Sequence, residues 1–194
     1  VHFDSPDWRG IDVALLFDSK RFIPRKAKTY PLEVEYKGNP SFSRDILVVF
    51  GFLDKEPINF IVNHWPSRSG GQAESEPQRV KAAEVNKRII DSIQNIDINA
   101  KIISMGDFND HPDDKSLKIL TSTYNKENIE TPGMFNPMQE LSKRGRASYL
   151  FRGFPSAIDQ FVISNGLISK NSNLVYLKAD VYMKRFLYTQ EGRY

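Results

Sequence analysis

A chain of 194 residues is long enough to form one domain around its own hydrophobic core. It contains no cysteine, which excludes disulfides, thiolate metal sites and a cysteine nucleophile. Its formal charge of +3 favours the approach of a polyanion but is far below that of a nucleic-acid coat. No apolar run nears the roughly 20 residues of a membrane helix, and no signal core opens the chain, so its location stays open.

Taken in order, apolar and β-branched runs bounded by turn residues predict strands over Val13–Phe17, Ile46–Leu53 and Ile58–Val62. The polar segment Ser67–Glu76, SRSGGQAESE, reads as a mobile loop. Helical spacing follows from Pro77 to about Asn95, with Ala82, Val85, Ile89, Ile93 and Ile96 on one face. Ser75 or Glu76 would cap that helix, with Pro77 in its first turn. Lys101–Met105 predicts another strand, and a short helix is expected from Asp113 or Asp114 through Leu117 and Leu120. Glu127–Arg146 reads as irregular, and strands are predicted again over Ile158–Ile163 and Leu174–Leu177. There is no repeat, low-complexity tract or composition break, so residues 1–194 read as a single domain.

Three strand ends carry the same kind of residues. NFIVNHWPSR closes one run with His64 and Arg68; IISMGDFND closes another with Asp107 and Asn109; SAIDQFVIS opens a third with Asp159. Polar groups gathered where strands meet loops mark the usual place for an α/β active site. A simple Asx turn would also account for Asp107 and Asn109, and a satisfied histidine for His64.

GDFND after an apolar strand, VNHWPSR before a long helix, AIDQFVIS and RGIDVALLFDSKRF occur in an order and spacing that resemble the endonuclease/exonuclease/phosphatase superfamily, also called deoxyribonuclease I-like. The resemblance implies a four-layer α/β/β/α sandwich of two packed mixed β-sheets. It also implies hydrolysis of a phosphodiester by an activated water with magnesium or manganese. It places Asp107 and Asn109 at the attacking water, the metal and the phosphate, His64 at the phosphate, and Asp159 as the acid that orients a second histidine. Asp12 is the expected partner of His64, by analogy with an acid that precedes this strand in some members.

The chemistry suits these residue types. A phosphodiester is an anion, so the attacking water must arrive while growing charge is neutralised. Magnesium takes one or two carboxylates and keeps several waters, so a sparse site is expected. If the segment were extended, Asp107 and Asn109 would point the same way. An imidazolium at His64 could donate to a phosphate oxygen. Arg9 and Arg68 are candidate phosphate contacts, since a guanidinium can fork two oxygens. Tyr149, Phe151, Phe154 and Trp65 read as packing residues rather than stacking platforms.

Two pieces of the family pattern are missing: an early strand pair bearing an asparagine and a metal-binding glutamate, and a closing Ser-Asp-His. The expectation is a domain truncated at both ends, lacking its first and last strands, nearly inactive by itself, and either prone to association through exposed sheet edges or marginally stable. Within the class, a nuclease acting on nucleic acid ranks first because no apolar docking loop is evident and the charge is mildly basic. Sphingomyelinase, inositol-phosphate phosphatase and a non-catalytic binding module are the alternatives.

Overall fold

The computed structural model describes residues 1–36, 38–151, 153–169, 172–182, 184 and 186. Residues 187–194, the end of the segment in which the Ser-Asp-His pattern is missing from the sequence, lie outside the described residues.

Strands β1 (Phe22–Tyr30), β4 (Ile46–Leu53), β5 (Glu56–His64), β6 (Ile102–Asp107), β7 (Met134–Phe135) and β10 (Asp159–Ser164) form one mixed sheet in the order β1-β4-β5-β6-β10-β7. Hairpins β2 (Glu33–Tyr36)–β3 (Asn39–Phe42) and β8 (Tyr149–Phe151)–β9 (Phe154–Ser156) stand apart from it. Among the paired strands of the described residues, β5 and β6 alone run parallel, and a parallel pair needs a crossover. That crossover is helix α1 (Gln72–Gln94), which packs on one face of the sheet beside α2 (Lys115–Leu120). This is the mixed α/β architecture of the deoxyribonuclease I-like sandwich.

Period-two alternation sorts the strands' side chains. Along β4, Ile46 and Val48 face the helices, while Leu47 and Val49 face the other way. The helix-side core holds Ile61, Trp65, Ile89, Ile90, Ile102 and Leu117, each buried side chain contributing about 1.5–3 kcal/mol. The opposite face is covered by chain segments without ladder pairing. Val13 and Leu15 pack on Phe22, Leu47 and Val62, with Leu174 at the border of the same cluster. The run Val13–Phe17 buries Val13 and Leu15 and the run Leu174–Leu177 only half-buries Leu174 and Tyr176, and neither forms a strand; residue 14 makes only an isolated bridge to His2.

Other departures have local causes. The loop predicted from Ser67 to Glu76 turns helical at Gln72, because Gly71 enters the helix at φ 123° and its carbonyl accepts from Ser75 Oγ at 2.5 Å; Pro77 then lies inside α1. Ile96 lies past the end of the helix and is exposed. A third helix, α3 (Met138–Lys143), and β7 occupy the stretch read as irregular. Strand β1, absent from the sequence prediction, is an edge strand with a bulge between Pro24 and Lys26; its exposed Arg25, Lys26 and Lys28 discourage edge pairing. Among the described residues no helix is long and apolar enough to cross a membrane.

A buried polar cluster sets the register that matters for function. Asn63 Nδ2 donates to Ser104 Oγ at 3.0 Å, while Asn63 Oδ1 accepts from Asn86 of α1 at 2.6 Å and from Trp65 Nε1 at 3.0 Å. Unpaired, these groups would cost about 1–3 kcal/mol each, so β5, β6 and α1 are held in a single alignment. That alignment puts His64 beside Asp107.

Candidate active site

Three side chains form a row across adjacent strands. His64 ends β5, Asp107 ends β6 and pairs with it, and Asp159 opens β10 opposite Asp107. His64 Nε2 lies 3.6 Å from Asp107 Oδ2, close for charge interaction but too long for a hydrogen bond. With Arg68, Asn109 and Tyr149 they line a cavity of about 990 Å³.

The glycine of GDFND is there for space. Gly106 has φ 132°, and a Cβ on it would overlap the carbonyl oxygen of Asn63 on the paired strand. Beyond it the chain turns: Asn109 N–H donates to Asp107 Oδ1 at 2.8 Å, closing an Asx turn, and Asn109 adopts a left-handed φ of 51°. The turn and the site are thus one structure, and the extended geometry expected for Asp107 and Asn109 is replaced by it. Asn109 Nδ2 donates to the Trp65 carbonyl at 2.9 Å, which leaves Oδ1 without a hydrogen bond among the described residues. Trp65 itself is fully buried and meets Phe108 edge-on at 4.6 Å, as a packing residue should.

Burial, and then the charge of Asp159, push the Asp107 carboxyl up to about 6, against the pull of the Asn109 N–H, Arg44 and Arg68. His64 moves the other way. Burial and the nearby Arg44 and Arg9 lower it to about 4, so the imidazole is neutral at neutral pH, not the imidazolium expected from sequence. Asp12 does not reach it. Its carboxylate accepts from Ser5 N–H and Oγ, both at 2.7 Å, and lies 3.1 Å from His2, which corrects the pairing of Asp12 with His64. The acid His64 faces is Asp107.

Arg68 reaches the cavity wall and is held by three contacts: Nε to the Asn109 carbonyl at 2.7 Å, and Nη2 to Asp114 at 2.8 Å and Asp110 at 3.2 Å. Asp110 is fully buried. It also accepts from Ser116 Oγ at 2.6 Å and Gln72 Nε2 at 3.2 Å, and lies 2.7 Å from Arg79 Nε as an ion pair without hydrogen-bond alignment. Arg9 forks Asp7 at 2.9 and 2.7 Å, and the buried Arg44 stands 3.4 Å from the same carboxylate while donating to the Trp65 carbonyl at 2.7 Å. Asp159 is exposed, and no histidine stands within hydrogen-bond reach of it among the described residues.

Sequence reasoning missed Asp7, Arg44, Asp110 and Arg79. The available signal was charge placed against apolar sequence: SRD immediately before ILVVF, and a further acid directly after GDFN. Tyr149 turns out to line the cavity, and Phe154 is exposed.

No curated protein matches the chain in sequence. Among solved structures, the human Nocturnin catalytic domain with bound sulfate is 16% identical with a TM-score of 0.54, covering 76% of this chain and 50% of that one. A truncated TDP2 from Caenorhabditis elegans is 15% identical with a TM-score of 0.52, covering 77% and 55%. TDP2 from D. rerio, complexed with a single-strand DNA product, is 13% identical with a TM-score of 0.52, covering 75% and 54%. The chain thus spans about half the length of these structures, and at such identities they share its fold. The profile of the Endonuclease/Exonuclease/phosphatase family matches residues 1–194, and the chain belongs to that family.

Proposed function

We propose that this chain is a divalent-metal-dependent phosphodiesterase domain of the nuclease type. The observation that carries the reading is the row His64–Asp107–Asp159 on the floor of a large cavity, with one carboxyl held near neutrality and a guanidinium fixed at the wall. Family membership supports metal-dependent phosphoester hydrolysis in general.

The donor set suits a hard cation. Asp107 and Asn109 offer oxygens, Asp159 adds a second carboxylate, no sulfur is present, and the facing acids repel one another in partial burial. Magnesium or manganese would be held by Asp107 and Asn109, supplying charge neutralisation for the bound phosphate. Asp107, with the oxygen not given to the metal, would orient the attacking water and accept its proton. Neutral His64 has one N–H to give to a non-bridging oxygen. Arg68, kept in place by Asp110 and Asp114, adds positive charge at the wall.

The test is hydrolysis of supercoiled plasmid and of bis(p-nitrophenyl) phosphate with magnesium or manganese, against EDTA. Slow turnover of both substrates that stops in EDTA is expected, because the metal-binding glutamate and the second histidine of the family pattern have no counterpart among these residues. Turnover that persists in EDTA would overturn the metal dependence, and no turnover with any divalent ion would overturn the reading for this chain.

A further inference from the structure

Arg44 is buried without a full counter-charge. Arg9 forks Asp7, the carboxylate that Arg44 also meets, and the Arg44 contact is the longer one at 3.4 Å. The Arg44 Nε–H is buried with no acceptor among the described residues. Exchanging such a charge for an apolar side chain of similar volume is often neutral or stabilising, so stability alone does not account for Arg44.

Its shortest contact is to the backbone. Nη2 donates to the Trp65 carbonyl at 2.7 Å, and strand register brings the two together. Leu47 of β4 pairs with Val62 of β5, and three residues back from the one and three on from the other come Arg44 and Trp65. The Trp65 peptide is a junction. Its N–H donates to the Asp107 carbonyl at 2.9 Å, and its own carbonyl accepts from Asn109 Nδ2 at 2.9 Å as well as from Arg44. A carbonyl oxygen has two lone pairs, and both are taken. Because a carbonyl only accepts, the amide nitrogen of Asn109 must face it, and Oδ1 is turned away. The Asn109 backbone is held too, its N–H by Asp107 Oδ1 and its carbonyl by Arg68 Nε.

We propose that Arg44 is a positioning residue: by anchoring the Trp65 carbonyl it orients Asn109 so that Oδ1 is presented to the divalent cation. Arg44 itself touches neither cation nor substrate. The inference rests on the metal-dependent phosphodiesterase reading, in which Asn109 helps to hold the ion.

Manganese binding can be read without turnover, from the electron paramagnetic resonance signal of the free ion, once melts in EDTA show each variant to be folded. Arg44→Met, of similar length but with no donor, should weaken binding about 10-fold, while Arg44→Lys, which keeps a cationic donor, should stay within about 3-fold of wild type. In an Asn109→Ala background, Arg44→Met should change the affinity by less than about 2-fold, because the side chain it orients is gone. Equal affinity of folded wild type and Arg44→Met would overturn the proposal. So would an undiminished loss in the Asn109→Ala background, which is what a general structural effect would give. Should Arg44→Met fail to fold, the wild-type protein decides: by NMR in EDTA one Asn109 side-chain amide proton is expected to be protected from exchange, and two equally unprotected protons would overturn the proposal. Arg44-dependent manganese binding in a protein that hydrolyses neither plasmid nor bis(p-nitrophenyl) phosphate would uphold the positioning role and sink the phosphodiesterase reading. Metal-dependent hydrolysis with equal manganese affinity in wild type and Arg44→Met would do the reverse.

Discussion

Asp7 and Asp107 lie in adjoining parts of one cleft and are perturbed in opposite directions. Asp7 is forked by Arg9 and approached by Arg44, and Arg9 holds its carboxyl down at about 2. Asp107 has no cation in direct contact, faces Asp159, and burial lifts it to about 6. The difference shows how one fold makes one acid a permanent counter-ion and keeps another poised to exchange a proton. What separates them is their surroundings: the Arg9 fork for Asp7, burial and then a second carboxylate for Asp107.

The comparison can be broken from several sides. The largest effect is expected at the neighbour of Asp107. Gly106→Ala would drive a methyl into the Asn63 carbonyl, part β5 from β6 and disrupt the row, so loss of activity together with a thermal midpoint lowered by many degrees is expected in a melt followed by circular dichroism. Next is Asp110→Ala, which leaves Arg79 buried and uncompensated and frees Arg68. A cost of about 3–5 kcal/mol in urea unfolding is expected, because the partner charge stays in the interior.

The two contrasted acids follow, with opposite signs. Because Asp7 has a depressed folded-state value, its stabilisation is present above about pH 4 and is lost as pH falls towards 2. Asp7→Asn should therefore cost about 2 kcal/mol at pH 7, with the gap to wild type closing in acid unfolding. Asp107 has a raised value, so its ionisation opposes folding as pH rises from about 4 through 6. Asp107→Asn in EDTA should melt higher than wild type at pH 7 by about 1–2 kcal/mol, discounted for partial exposure, and lose that advantage below pH 4. A neutral or destabilising Asp107→Asn would mean that the two carboxyls are less different than the geometry makes them.

The sequence made the frame visible where side-chain periodicity met burial. The run Ile46–Leu53 coincides with β4 because its two faces bury against two different cores, and the hydrophobic runs around α1 mark the βαβ crossover. Strand β1 was invisible because an edge strand needs no apolar alternation: FIPRKAKTY is mostly polar and is broken by the bulge at Pro24. The row of His64, Asp107 and Asp159 was legible because each closes or opens an apolar run. Asp12 was misplaced for the complementary reason. It also precedes an apolar run, but Val13 and Leu15 bury against the sheet without joining it, and the acid ends beside His2 and Ser5. The charges that tune the site were unreadable, since an arginine that will be buried looks in sequence like any solvated one. Only the fold brings Arg44 to the Trp65 carbonyl and Asp110 to Arg79.

The most direct test is the rate of bis(p-nitrophenyl) phosphate hydrolysis at saturating manganese by wild type and Asp107→Asn, with both proteins first shown to be folded by their melts. A loss of about 100-fold or more is expected in a variant that is at least as stable as wild type. Equal rates from the two proteins would contradict it, because the poised carboxyl would then have no part in the reaction.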